Sequence, residues 1–402
     1  MPSPTRTSLF ADIRAMPRTV WVLFVGTLIN RFGSFVFVFL AVYLTGKGYT
    51  PAQAGLAIGA YGIGAICASL VGGWLADHLG RRNTIVLSML LSAIVMLALS
   101  QANAYAVLMS LTMLAGFCAE LYRPAASALI ADVTTPAQRV TAYALYRLAI
   151  NAGFAIGPAV GGLMAHKSFL LLFVGDAVTS LAYAGIAIAA LPNRVVEHHA
   201  VQSGRSALQA ILHDSSFLMF LGSTMCASMV FMQHISSYPL QITALGYSSS
   251  VFGALISLNG IIICLTELPL TTYTRRLPAR RVMVTGMLVF GAGFALTGLA
   301  KTIPLLAAMV VIWTVGEMFY FPMAAAHVAN ISPPDMRGRY QGAWGISWGA
   351  GAVLGPVLGT ALFSVAPRAV WPACGAIAVV GAMLLLPATR VRRVATPATE
   401  AP

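Results

Sequence analysis

Twelve long apolar stretches follow one another through this chain, at 19–44, 52–76, 83–101, 104–131, 139–164, 169–191, 215–244, 249–273, 282–300, 303–331, 338–364 and 369–388. Each has about the 20 residues that a helix needs to cross the apolar layer of a bilayer. One such stretch can be hidden in a water-soluble core; twelve in succession cannot. The composition agrees, with 58% hydrophobic and only 9% charged residues, where soluble domains carry about 25% charged. The mean hydropathy is +0.83. The pattern predicts an all-α integral membrane protein of twelve transmembrane helices.

The net charge of +13 raises nucleic acid as a partner, but its placement argues against that. Lys47, Lys167, Lys301 and Arg368 fall on one side of the spans, and Arg31, Arg123 and Arg147 fall inside them. The remaining seventeen basic residues lie on the other side. That asymmetry predicts cytoplasmic termini and attraction to anionic lipid. Residues 1–18 are polar and basic with no cleavable signal pattern, so the first span is expected to serve as the insertion signal. All five cysteines, Cys67, Cys118, Cys226, Cys264 and Cys374, lie within apolar spans and lack metal-ligand spacing. No metal or cofactor is expected.

The chain repeats itself. One constant shift superposes Tyr122 on Tyr320, Pro124 on Pro322, Pro136 on Pro334 and Arg139 on Arg337. The same shift superposes Gly153 on Gly351, Gly157 on Gly355, Pro158 on Pro356 and Gly161 on Gly359. The longest polar connection, 192–214, separates six spans at 19–191 from six at 215–388, and a polar tail, 389–402, follows. Duplicated six-span halves are the build of secondary transporters, whose substrate site lies at the midplane between them.

Two motifs carry more. Between the second and third spans stands Gly73-Trp74-Leu75-Ala76-Asp77-His78-Leu79-Gly80-Arg81-Arg82. Gly73 permits close packing of a helix end, and Gly80 permits a positive-φ turn. Asp77 is placed to accept from arginines or free helix N–H groups, and Arg81 and Arg82 hold the loop at the cytoplasmic side. In the fifth span, Gly153-x-x-x-Gly157-Pro158-x-x-Gly161-Gly162 makes a flat packing face with a proline bend. The loop resembles the 2–3 loop of the major facilitator superfamily, with His78 in place of its usual basic residue. The fifth-span motif resembles the signature of that superfamily's exporters, which run as antiporters. The 274–281 loop is a decayed copy of the first motif, without its aspartate and glycines. The resemblance implies a conformational latch: Arg81 pairing with Asp132, Asp77 facing the start of the eleventh span near Arg337 to Tyr340, and Arg139 nearby.

Ionisable residues inside spans are costly and mark function. Arg31, Glu120, Arg123, Arg147 and Asn151 are expected to form one polar cluster, with Arg31, Glu120 and Arg147 at its centre. In the second half, Glu267, Glu317, Gln233 and His234 are the corresponding groups. Glu317 has no arginine nearby in sequence. A carboxyl group in a low-dielectric site can load and release a proton, which makes Glu317 the first candidate for proton coupling and Glu120 the second. Asp176 is read as structural. Tyr238, Tyr320, Trp344 and Trp348 are candidate walls for a flat or cationic ligand, with methionines such as Met229 and Met318 as adaptable surface.

Together these features predict a secondary active transporter, similar to the multidrug/proton antiporter group, that exports amphiphilic organic compounds from a bacterial inner membrane, as a monomer, by alternating access. Two alternatives remain: a proton-coupled symporter of a peptide, amino acid or organic anion, and a lipid translocase. An apolar aromatic cavity favours the first reading, a sealed bipolar pocket the second, and a groove open to the bilayer the third. No P-loop, metal-binding run or nucleophile elbow supports an enzyme.

Overall fold

The computed structural model describes residues 13–192, 212–274, 277–332 and 337–388. Its spans are α1 (Arg18–Gly46), α2 (Pro51–His78), α3 (Arg81–Gln101), α4 (Tyr105–Val133), α5 (Pro136–Lys167) and α6 (Phe169–Ala190), then α7 (Ser215–Ala244), α8 (Ser249–Thr274), α9 (Ala279–Thr297), α10 (Ile303–Ile331), α11 (Arg337–Val365) and α12 (Val370–Ala388). They form two pseudo-symmetric six-helix bundles. Side chains on the outer circumference, among them Leu70, Leu265 and Leu299, are apolar and exposed, as a surface that meets lipid requires. Most of the predicted 192–214 linker, the 389–402 tail and residues 1–12 lie outside the described residues.

Local sequence sets the helix ends. Thr50-Pro51-Ala52-Gln53 and Thr135-Pro136-Ala137-Gln138 are the same tetrapeptide, and each closes a capping box at the start of α2 and α5. Gly80, at φ 86°, turns the chain from α2 into α3. Gly48 and Gly246 hold φ 90° and 83° in the turns after α1 and α7, as the repeat demands.

The first span of each half is broken. α1 stops at Phe32 and restarts at Phe35, beside the buried Asp176 of α6. α7 breaks through a short 3₁₀ segment, Met232–His234. Gln233 staples that break: it donates to the Met229 and Gly355 carbonyls (3.0 and 2.8 Å) and accepts from Ser236 and Ser237.

The glycine motif of α5 is used on two sides. A methyl group on Gly153 would lie 2.7 Å from Arg31 Cβ, and one on Gly157 would lie 2.5 Å from the Phe32 carbonyl, both at the break in α1. On the other side, one on Gly162 would lie 2.6 Å from the Ser249 carbonyl of α8. Gly161 rests on Phe35 and Phe39. The copy in α11 does the same, with Gly351, Gly355 and Gly359 on α7. The opposite side of α11 meets α2 at Gly55, Gly59 and Gly62.

Hydrogen bonds close these seams towards one end. Ser250 Oγ donates to the Gly162 carbonyl (3.2 Å), the Ala159 N–H donates to Ser257 Oγ (2.9 Å), and the Ala52 N–H donates to Ser364 Oγ (3.1 Å). Phe39 and Phe252 meet edge to face across the halves. Towards the face that carries the termini, contact is lost: a methyl group on Gly342 or Gly345 of α11, or on Gly73 of α2, would meet nothing within 4 Å. There the N-terminal half closes a separate core of its own around Ile85, Met89, Tyr122 and Tyr183. Among the described residues, the halves are joined on the far side, and close glycine contacts thin out towards the terminal side.

Gly73 therefore makes no close helix contact in this conformation, contrary to the sequence expectation. Its neighbour Gly72 does, with a methyl group there 2.5 Å from the Leu121 carbonyl of α4.

Candidate functional site

Where the halves part, a cavity of about 120 Å³ opens between α5, α8 and α10. Its polar lining is Arg147, Asn151, Glu267 and Glu317, and its apolar lining is Ile263, Met318, Phe321 and Pro322. Asn151 lies one turn beyond Arg147 on α5, so both reach the same acid of α8. Arg147 pairs with Glu267 at 2.8 Å, and Asn151 Nδ2 donates to it at 3.3 Å. This ion pair bridges the halves along the α5–α8 seam.

Glu317 stands differently. Its carboxylate accepts from Asn259 Nδ2 of α8 at 2.9 Å. Among the described residues it forms no ion pair, although Glu120 and Glu267 both do. With Arg147 and Glu267 cancelling, an ionised Glu317 leaves the cavity with one uncompensated negative charge. Burying such a charge is costly unless a proton or a cation joins it.

The predicted single cluster of Arg31, Glu120 and Arg147 is corrected into two. Arg31 Nη2 meets Glu120 Oε1 at 2.9 Å, Arg123 Nη1 meets Glu120 Oε2 at 2.7 Å, and Arg31 Nε donates to the Tyr122 hydroxyl at 3.2 Å. This network is internal to the N-terminal half, whereas Arg147 turns outward to α8. Similar depth along a bundle does not fix the direction in which a helix face points.

The aromatic expectation divides likewise. Tyr238 is fully buried among Phe252, Trp313 and Trp371, and Tyr320 is buried with its hydroxyl 3.3 Å from Ser223. Both are core residues of the C-terminal half, so their assignment to a substrate wall is withdrawn. Trp344 Nε1 donates to Thr224 within the same half (3.2 Å). Trp348 does contribute, indirectly: it packs with Phe231 and with the cavity residue Phe321, ring centroids 5.7 and 5.1 Å apart. His234 joins that aromatic group through Phe231, and a ring nitrogen lies 2.6 Å from the Phe231 carbonyl. Phe321 and Asn259 escaped sequence reasoning. An asparagine inside an apolar run was the available signal for the second.

At the terminal face, Arg81 is buried and joins two acids, Asp77 and, at 3.3 Å, Asp132. The Arg81–Asp132 pair of the expected latch is present, but it ties α3 to α4 within one half. The expected approach of Asp77 to Arg337 and Arg339 falls on side chains outside the described residues. Arg139 is exposed and donates to the Ala131 carbonyl (3.3 Å) rather than pairing with Asp132. Arg82 is half-buried beside the loop.

Known proteins give the fold a context. The chain is 28% identical over 356 residues to the uncharacterized MFS-type transporter YqjV of Bacillus subtilis, covering 84% of this chain and 85% of that protein. It is 26% identical over 360 residues to a Na(+), Li(+), K(+)/H(+) antiporter of Planococcus maritimus, covering 80% and 84%. It is 30% identical over 159 residues, 39% of this chain and 41% of the other, to the quinolone resistance protein NorA of Staphylococcus aureus. Among solved structures, the nucleoside transporter NupG superposes with a TM-score of 0.79 at 15% identity, covering 92% and 100%. A POT family transporter bound to 5-aminolevulinic acid gives 0.78 at 15%, covering 92% and 96%. The family model for the Major Facilitator Superfamily matches residues 23–243 and 224–402. Twelve spans in two pseudo-symmetric bundles, joined by glycine seams around a charged cavity, thus belong to a membrane transporter of the Major Facilitator Superfamily.

Proposed function

We propose that this transporter is a proton-coupled antiporter that exports amphiphilic organic cations from the cytoplasm across a bacterial inner membrane. The observation that carries the reading is Glu317: a cavity carboxylate between the halves, held by a neutral amide rather than by an arginine. A proton and an organic cation satisfy that charge in turn, and mutual exclusion is what antiport needs. Phe321 and Met318 supply an aromatic and a polarizable surface beside it. Glu120 fits a proton carrier less well, because two guanidinium groups hold it as a fixed ion. The antiporter and quinolone-resistance relatives are compatible with this reading, and the basic terminal face supports cytoplasmic termini. The lining also includes Arg147, which favours a second reading, symport of a zwitterion gripped between Arg147 and the two glutamates.

The test uses purified protein in liposomes that enclose a pH dye. Added tetraphenylphosphonium is expected to drive protons in the opposite direction, and Glu317→Gln to abolish that exchange while leaving a folded protein. Protons that move together with a dipeptide, and not against tetraphenylphosphonium, would replace the first reading by the second.

A further inference from the structure

Asn259 lies on the face of α8 that also presents Ile263 and Glu267 to the cavity. Its Nδ2 directs both hydrogens to α10, one to Glu317 Oε2 and one to Thr314 Oγ1, each at 2.9 Å. Thr314 and Glu317 are three residues apart, hence neighbours on one helix face, and a single amide reaches both. Thr314 is fully buried, and its hydroxyl donates to the Val310 carbonyl (2.6 Å), which leaves an oxygen lone pair for the amide.

The hydrogen donated to Oε2 suits an ionised Glu317. A Glu317 that takes its proton on Oε2 must donate there, and needs an acceptor in the same place. A carboxamide holds a donor and an acceptor at equal reach, so half a turn about its last torsion exchanges them. After that turn Oδ1 accepts from the Glu317 O–H, and from the Thr314 hydroxyl once its one hydrogen leaves the Val310 carbonyl. An arginine only donates, which matches the fixed roles of Glu120 and Glu267.

We propose that Asn259 is the positioning residue of the proton site, an amide that reverses to keep Glu317 hydrogen-bonded in both of its protonation states. The proposal rests on Glu317 being the coupling carboxylate. The next residue, Gly260, is where the α8 backbone lies against Ala155 of α5, so closely that a methyl group there would collide with the Ala155 backbone. The reversal therefore takes place beside the seam between the halves.

The experiment compares Asn259→Leu, close to asparagine in shape but with neither donor nor acceptor, with Asn259→Ser, smaller but with both. Coupled proton flux is read in dye-loaded liposomes with tetraphenylphosphonium, and binding and thermal unfolding verify the folded state. Asn259→Leu is expected to lose about tenfold or more in coupled flux, the scale of one lost hydrogen bond, while Asn259→Ser stays within about threefold of the parent. A packing role predicts the reverse order, and that order overturns the proposal. Infrared difference spectra of the unmodified protein between acid and alkaline pH give a readout that no folding defect can spoil. An asparagine carbonyl band that shifts together with the Glu317 acid band is expected, and a static amide band overturns the proposal. Glu317→Gln separates the levels: if it keeps coupling, the proton site itself is misassigned. If it loses coupling while Asn259→Leu keeps it, the amide alone is.

Discussion

Gly253 of α8 offers the sharpest test of the seam. A methyl group there would collide with the Pro158 carbonyl of α5, and it would also lie 3.2 Å from Gly162 Cα. Both obstacles are backbone, so no rotamer change relieves them, and α8 must move off α5. Overpacking of this kind costs about 1–3 kcal/mol. Gly253→Ala imposes that cost only where the seam is closed, so it should shift the conformational balance by roughly 5- to 150-fold towards the state open on the far side. Spin labels on cysteines at the exposed Thr50 and Val365, in a background without the five native cysteines, flank the neighbouring α2–α11 seam. Pulsed electron resonance should then show a longer distance gaining population in Gly253→Ala. Gly185→Ala is the control, since its methyl group meets nothing within 4 Å. An unchanged distance distribution in Gly253→Ala, or the same shift in both variants, would refute the claim that this contact holds the far side shut.

Two further outcomes follow from the site. Arg147→Glu and Glu267→Arg should each slow transport several-fold, because each leaves like charges facing across the seam, and the double exchange should recover most of the loss; transport rates of the three variants decide it. Tyr238→Phe should leave transport rates and substrate range unchanged, since that ring is enclosed by Phe252, Trp313 and Trp371, and its hydroxyl bonds to no described residue. A narrowed substrate range in that variant would return Tyr238 to the cavity wall.

The spans, the duplication and the cavity position of Glu317 were legible because they depend on quantities a sequence carries: apolar length, spaced identities, and an acid inside a span isolated from basic residues. Azimuth was not legible. α7 loses its helical phase at Met232–His234, so helical spacing across that break does not show which way Tyr238 faces. Arg147 was misassigned because similar depth leaves two helix faces available, and only the docking of α5 on α8 selects one. Asn259 was overlooked because it adds no charge to its span; its importance comes from a carboxylate 58 positions away. Gly73 belongs to the same class: whether a glycine near a helix end meets a neighbour depends on helix docking, which no local rule encodes.

The divided interior has a consequence for how this protein tolerates change. On the terminal side the N-terminal half keeps its own core of Ile85, Met89, Tyr122 and Tyr183, whose described members all come from that half. Joining and separating the halves therefore need not disturb the side chains that hold that bundle folded. Substitutions in that core are expected to change heat resistance more than turnover. The glycine seams lack that freedom: the same few backbone contacts set both how firmly the far side closes and how fast it can open.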